Sequence, residues 1–288
     1  MIDTHLSSKA LLVELKISNW SGRRYDPSAS LSVSETYNND PDYARVNKAL
    51  IAKEAIQRIY RIVYSARRCH YSMTLPWGDS GVRLLPGELY LEYTKKIGEY
   101  KRKFNAKVEE FLGKYPELMK QARNTLNGLF KDDDYPPLRT LRSKFCFELH
   151  FTPISEVNDL RINLREADKE KLKREMEYHH SKLQQEALTD LWQRLYETIK
   201  PMSDKLNDPK GIFRDSLVEK VHDLVNLLPK LNVTGDQHLT DLTNEIRQKL
   251  CNHSPAELRD MDGVRGQVAK DADDILERMK GYTGGNKR

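Results

Sequence analysis

The most concentrated chemical signal in the chain is cationic. Lys95, Lys96, Lys101, Arg102, Lys103 and Lys107 fall in one segment that also carries Tyr90, Tyr93 and Tyr100, and Arg67 and Arg68 close the segment before it. Arg23 and Arg24 stand at the end of another element. Cations neutralise phosphates and aromatic rings stack on bases, so Arg67, Arg68 and the six cations from Lys95 to Lys107 form a candidate nucleic-acid surface. The tyrosines, however, fall on the apolar stripe of their own segment. That placement assigns them to the core and makes a solvated lysine face the competing reading.

Other chemistry-bearing residues carry less. Gly78-Asp79-Ser80-Gly81, with His70 nearby, resembles the nucleophile loop of chymotrypsin-like serine proteases. That family needs a second glycine where this chain has Val82, and two β-barrels that a helical pattern does not supply, so we read a chance match. Asp132, Asp133 and Asp134 are consecutive carboxylates that project in different directions without supporting acids at ligand spacing, which reads as a solvated loop and not a divalent-cation site. His179 and His180 are adjacent on a helix, about 100° apart, and read as a polar layer. Phosphate-loop, dinucleotide-binding, His-Glu-x-x-His and paired Cys-x-x-Cys motifs are all missing. Cys69, Cys146 and Cys251 show no paired spacing and read as reduced thiols. We therefore expect no enzyme activity of a familiar kind, no cofactor and no metal.

The elements that must position these residues follow from periodicity. Leu11, Val13, Leu15 and Ile17 alternate with Leu12, Glu14, Lys16 and Ser18 as a first strand, and Phe145, Phe147, Leu149 and Phe151 form a second. Leu160, Ile162 and Leu164 add a third that can pair with the second as a hairpin. Arg23 to Asp40 reads as a loop. Asp40 then caps a helix with Pro41 in its first position, carried by Val46, Leu50, Ile56, Ile59, Val63 and Ala66 through Arg68. Cys69 to Pro86 is irregular. A second helix runs from near Gly87 to a stop at Gly113, and Pro116 opens a shorter one through Leu129.

From Glu166 the period becomes helical for a long stretch. Leu172, Met176, Leu183, Ala187, Leu191, Leu195, Ile199, Met202 and Leu206 make its seam, and from Glu166 to Lys182 interleaved charges pair at i,i+3 and i,i+4. Glu166 to Ile199 alone spans about 51 Å at 1.5 Å per residue. The seam steps by nearly four residues, longer than the 3.5 of a left-handed coiled coil, so it fits an antiparallel bundle or hairpin. Pro201 should bend or end this helix near Lys200. Further helices are expected over Phe213 to Leu228, over Leu239 to Leu250, and after a capping box at Ser254-Pro255-Ala256-Glu257, with Gly263-Val264-Arg265-Gly266 as a turn.

Apolar content of 38% against 32% charged residues suits a helix-rich body with a modest core, and a net charge of +5 neither requires nor excludes nucleic acid. We expect an α+β, mostly α protein: a small antiparallel sheet, a helical bundle and a long protruding helical arm. The expected division is a mixed core over 1–165, a helical arm and bundle over 166–280, and a disordered tail over 281–288. No apolar run resembles a signal peptide or a membrane span, so a cytoplasmic protein of a bacterial host cell is expected.

Trp20-Ser21-Gly22-Arg23-Arg24 after the first strand, Ala66-Arg67-Arg68, Phe104 with Phe111-Leu112, and Tyr115-Pro116 together carry a resemblance over residues 10 to 165. The chain resembles an uncharacterised family of tailed phages and integrative elements, often encoded beside a MoxR-type AAA+ ATPase and a von Willebrand A-like protein. The resemblance implies a mobile-element setting and partnership with a ring ATPase or host factor, and supplies no active-site residues. Two functions are expected on these grounds: a non-enzymatic adaptor or assembly protein, or a DNA-binding protein of recombination or replication.

Overall fold

The computed structural model describes residues 6–155, 165–208, 211 and 214–283. Its elements in chain order are α1 (Leu6–Lys9), β1 (Ala10–Ser18), β2 (Arg23–Tyr25), α2 (Pro27–Tyr37), β3 (Asn47–Ala49), α3 (Lys53–Met73), β4 (Leu75–Pro76), β5 (Arg83–Pro86), α4 (Tyr90–Leu126), α5 (Leu138–Arg142), β6 (Cys146–Thr152), α6 (Glu166–Asn207), α7 (Asp215–Leu231), α8 (Gln237–Leu250), α9 (Pro255–Asp260) and α10 (Asp262–Thr283). The protein is α+β and mostly α, with one small four-stranded antiparallel sheet in the order β4-β5-β1-β6. β1 and β6 are neighbours, as the two alternating runs require, although more than 120 residues separate them. The expected third strand at Leu160 to Leu164 lies outside the described residues.

The stretch expected to be irregular over Cys69 to Pro86 instead begins as the last turn of α3, which continues past Arg68 to Met73, and ends in β4 and β5. They form a hairpin in which Leu75 pairs with Leu84 and Pro76 with Arg83, and β5 continues onto β1 from Ala10↔Pro86 to Val13↔Arg83. Gly78 and Gly81 hold positive φ angles of 76° and 80° in the connecting loop, a backbone state that glycine adopts without strain. Strands of two and four residues are too short to show alternation, which is why the sequence reads as irregular there.

The chain forms two compact units. One comprises Met1–Glu14, Tyr71–Glu92 and His150–Arg288, and the other Leu15–His70 and Tyr93–Leu149. We call the first the bundle unit and the second the α3–α4 unit. The latter lies wholly inside the 1–165 region, and the bundle unit takes Met1–Glu14, Tyr71–Glu92 and the stretch from His150 onward, so it draws on that region as well.

In the α3–α4 unit, α4 is one helix of 37 residues that passes through both Gly113 and Pro116. The expected stop at Gly113 and restart at Pro116 are therefore corrected. Phe111, Leu112 and Tyr115 are buried immediately around the two breakers. Burial of these side chains outweighs the roughly 3 kcal/mol that an interior proline costs. Phe111 and Tyr115 pack on Trp20 at 6.1 and 5.9 Å between ring centroids, and Phe104 packs on Phe147 at 5.5 Å. Burial pushes the Tyr115 phenol up to about 12, and its hydroxyl donates to the Pro136 carbonyl.

The start of this unit also differs from expectation. Arg23 to Asp40 holds β2 and α2, the latter capped by Asp26, whose Oδ1 accepts from the Ala29 amide at 3.1 Å. Asp40 caps only a 3₁₀ turn over Pro41–Tyr43, and Asn47–Ala49 pairs with β2 as β3, so α3 begins at Lys53. Val46 and Leu50 thus precede the helix they were expected to line.

In the bundle unit, α6 is 42 residues long and continues through Pro201 to Asn207, which corrects the expected break at Lys200. Ile199, Met202 and Leu206 stay buried on both sides of the proline. Leu183, Ala187, Leu191 and Leu195 carry the same seam, and α6 packs chiefly on α10 and α7. Trp192 stacks flat on Tyr282 at 4.3 Å and 8°. Gly263 to Gly266 is not a turn but the opening of α10, where Arg265 donates to the carbonyls of Lys205, Leu206, Asp208 and Gly211 at 2.6 to 3.1 Å. One guanidinium therefore satisfies carbonyls that the end of α6 leaves without helical partners. The capping box at Ser254 and Glu257 forms as expected, with both reciprocal bonds present.

Candidate functional site

The cationic residues all lie in the α3–α4 unit, and α4 spreads them around its axis. At about 100° per residue, Lys96, Lys103 and Lys107 share one stripe, Lys95 and Arg102 occupy a second, and Lys101 stands about 160° from Lys103. Lys95, Lys96, Lys101, Arg102 and Lys103 are exposed, and Lys107 is half-buried. Tyr93 is fully buried, as the stripe reading requires, but Tyr100 is half-buried and Tyr90, in the first turn of α4, is 40% exposed, so the assignment of all three tyrosines to the core is corrected. Arg67 and Arg68 are exposed at the far part of α3, where Arg67 donates to the Ile17 carbonyl at 2.9 Å. The eight cations therefore do not form one groove on α4.

A groove of about 360 Å³ does form where the start of α3 faces the middle of α4. Ala55, Ile59, Phe111 and Leu118 supply its apolar lining, and Arg58, Lys107, Lys114, Glu54 and Glu110 its charges. Lys107 and Lys114 both hold Glu110, at 2.6 and 3.0 Å. Those two ammonium groups drive the Glu110 carboxyl down to about 2, so it stays ionised at any physiological pH. Arg58 is left as the cation without an ion pair among the described residues. The lining offers charge and apolar surface but no hydroxyl, thiol or imidazole, so its chemistry is that of binding.

The tightest electrostatic arrangement was not visible as a site in the sequence. Lys48 on β3 is buried between two carboxylates, with Nζ 2.9 Å from Asp26 Oδ2 and 2.6 Å from Asp134 Oδ2. It also donates to the Leu129 carbonyl at 2.8 Å, while Arg24 meets Asp134 Oδ1 at 2.9 Å. Burial works to lower the Lys48 pKa, but the contacts with Asp134 and Asp26 overcome it and hold it above its ordinary value. Lys48, and next the Ala29 amide, hold Asp26 below its own. The expected solvated loop at Asp132 to Asp134 is thus a 3₁₀ turn whose last carboxylate is buried, while Asp132 faces solvent and pairs with Arg123 at 2.6 Å. Only an alignment of three distant segments brings Asp26, Lys48 and Asp134 together, and no local spacing announces it.

No family model matches the chain, and neither a curated protein nor a solved structure matches it. The reading of function rests on the geometry.

The remaining chemical candidates resolve into packing. His70 is buried, with Nδ1 2.7 Å from the Tyr93 hydroxyl, so its ring is engaged in the core of the α3–α4 unit. His180 packs near Trp77 at 6.1 Å between centroids, and burial, then His179, lower its pKa. In the bundle unit a hollow of about 470 Å³ is lined by Asp215, His222, Cys251 and His253 among others. Burial pushes the Cys251 thiol up, which opposes thiolate formation there. Among the described residues no group of three His, Cys, Asp or Glu is placed to hold a metal ion. Likewise, no helix among them is long and apolar enough to cross a membrane.

Proposed function

We propose that the protein is a non-enzymatic interaction protein that uses the first part of α6 to contact a protein partner. One observation carries this reading. From Glu166 to Lys182 no residue is buried, while from Leu183 onward the same helix is core. Seventeen residues, about 25 Å of helix, therefore precede the buried seam, and of these His180 packs near Trp77. Ion pairs such as Glu166–Lys169, Glu170–Lys173 and Lys182–Glu186 support that segment along its own length. Each adds only a few tenths of a kcal/mol, which supports the helix but buries no apolar surface. Leu172 and Met176 are half-buried and Tyr178 is 75% exposed, which supplies apolar contact points within a charged surface. The resemblance to a mobile-element family supports a ring ATPase as the partner.

The test is affinity capture from expressing cells with the native chain and with a Leu172→Ser, Met176→Ser, Tyr178→Ser variant. The native chain is expected to recover a stoichiometric protein that the variant loses at unchanged thermal stability. Recovery of no such protein by the native chain would overturn the proposal.

A specific observation favours nucleic acid as the second reading. Arg68, Lys95, Lys101, Arg102 and Lys103 are exposed and form no ion pair among the described residues. Cations of this kind are available to phosphates, and the affinity they confer falls with salt by roughly 0.7 to 0.9 units of log K per phosphate for each unit of log salt. On this reading, anisotropy titrations of DNA between about 50 and 200 mM salt show a steep, sequence-independent loss of affinity. The interaction-protein reading expects feeble binding that is already absent at the higher salt.

A further inference from the structure

The charge of this protein is interleaved almost everywhere, and α3 is the exception. Between Ala55 and Met73 it carries Arg58, Arg61, Arg67 and Arg68 and no acidic residue; Glu54 in its first turn is its one carboxylate. The buried side of α3 is made by Ile56, Ile59, Val63, Ala66 and His70. To one side of them, Tyr60 and Tyr64 lie one turn apart, and Arg61, Arg67 and Arg68 stand three or four residues from Tyr64. Tyr64 is 69% exposed and Tyr60 37%. Tyr60 is anchored by its hydroxyl, which donates to the Trp20 carbonyl at 3.2 Å, and Arg67 by its bond to the Ile17 carbonyl. Arg61 and Arg68 are exposed and have no ion pair among the described residues. The result is a helical surface on which the open ring of Tyr64 lies between arginine positions one turn away on either side.

We infer that this face of α3, centred on Tyr64 with Arg61 and Arg68, binds single-stranded nucleic acid. The inference deepens the second reading above and moves its contact surface from α4 to α3. Charge complementarity selects a polyanion, since Arg61 and Arg68 beside Tyr64 have no ion pair among the described residues. The exposed ring selects among polyanions. A base stacks on it only when its own face is free, which a single strand offers and a duplex withholds. An acidic peptide would use the arginines and leave Tyr64 without a role. Arginine adds planar stacking and bidentate phosphate contacts that lysine does not, consistent with four arginines and no lysine on α3 beyond Lys53.

The experiment is fluorescence anisotropy of labelled oligodeoxythymidine, oligouridine and a duplex with the full chain, over a salt series. Single strands are expected to bind more tightly than duplex, and comparison of the two single strands identifies which nucleic acid is preferred. Tyr64→Ala should weaken single-strand binding roughly 5- to 100-fold, the loss of one stacked base. Arg61→Glu with Arg68→Glu should abolish measurable binding, and Arg68→Ala alone should reduce the salt slope by about 0.7. Thermal melts should be unchanged, because these side chains are exposed. If Lys101→Glu with Lys103→Glu removes binding while Tyr64→Ala and Arg61→Glu with Arg68→Glu do not, the α3 site is wrong and the second reading stands. If no oligonucleotide binds at about 50 mM salt, both fall. Duplex binding as tight as single-strand binding, or displacement by oligoglutamate at equal charge, would also overturn the α3 site.

Discussion

Replacing Lys48 by methionine should destabilise the α3–α4 unit by about 3 kcal/mol, because it leaves two carboxylates facing each other away from water with no cation between them. The lower end of the usual range applies, since Arg24 stays on Asp134 and is itself 55% exposed. Methionine keeps most of the lysine's apolar length, so the loss reports the charge and not a cavity. The damage should spread along three segments, because Asp26 caps α2, Lys48 sits in β3 and Asp134 ends the turn after α4. Native-state hydrogen exchange should show the amides of α2 and β3 opening first.

The pH dependence of the same cluster has a definite sign. Asp26 is held below its ordinary value near 3.8, so its contribution is present above that value and is lost as pH falls through the lower folded one. Lys48 is held above its ordinary value near 10.5, so its contribution is present below that value and is lost as pH rises through the higher folded one. Stability from this cluster is thus a plateau across the neutral range with an acid and an alkaline edge. In Lys48→Met the alkaline edge disappears and the acid edge flattens, because the cation that depresses Asp26 is gone. An acid edge of unchanged depth in urea titrations of the variant would show that Lys48 is not what holds Asp26 ionised.

Much of the fold was legible because it is written in local periodicity. β1 and β6 announce themselves by alternation, and α6 and the capping box at Ser254 by helical spacing and caps. What was misread has a common cause, in that tertiary burial overrode local signals. Pro116 and Pro201 look like breakers, but each sits among buried side chains that keep the helix worth forming through it. β2, β3, β4 and β5 are two to four residues long, too short for a period to show. At the candidate sites the same limit applies. Residue type gave the cations of α4, but only the helix geometry shows that Lys101 and Lys103 diverge. Lys48 among 48 Lys and Arg residues carries no mark of its burial. Its partners lie 22 and 86 residues away, brought together by the pairing of β2 with β3 and by the turn at Asp132–Asp134.

The second large effect separates the two parts of α6. Leu195 is fully buried where α6 packs in the bundle unit, and Leu195→Ala should cost about 3 kcal/mol, the removed transfer free energy plus a cavity that the surrounding helices fill only in part. Alanine is the better helix former, so propensity acts against this loss and cannot explain it. For a unit of this size the melting temperature should fall by about 6–12 °C. Leu172 belongs to the same seam two dozen residues earlier, yet it is only half-buried, and Leu172→Ala should change stability by no more than about 0.5–1 kcal/mol. Thermal melts of the two variants therefore measure where along α6 packing begins. Equal losses at both positions would mean that the segment from Glu166 to Lys182 is as much a part of the folded core as the rest. Its assignment to a partner would then fail on stability grounds alone. A large loss at Leu195 beside a negligible one at Leu172 leaves the seam residues Leu172 and Met176 without a structural reason inside this chain, and that is the condition under which a partner is needed to explain them.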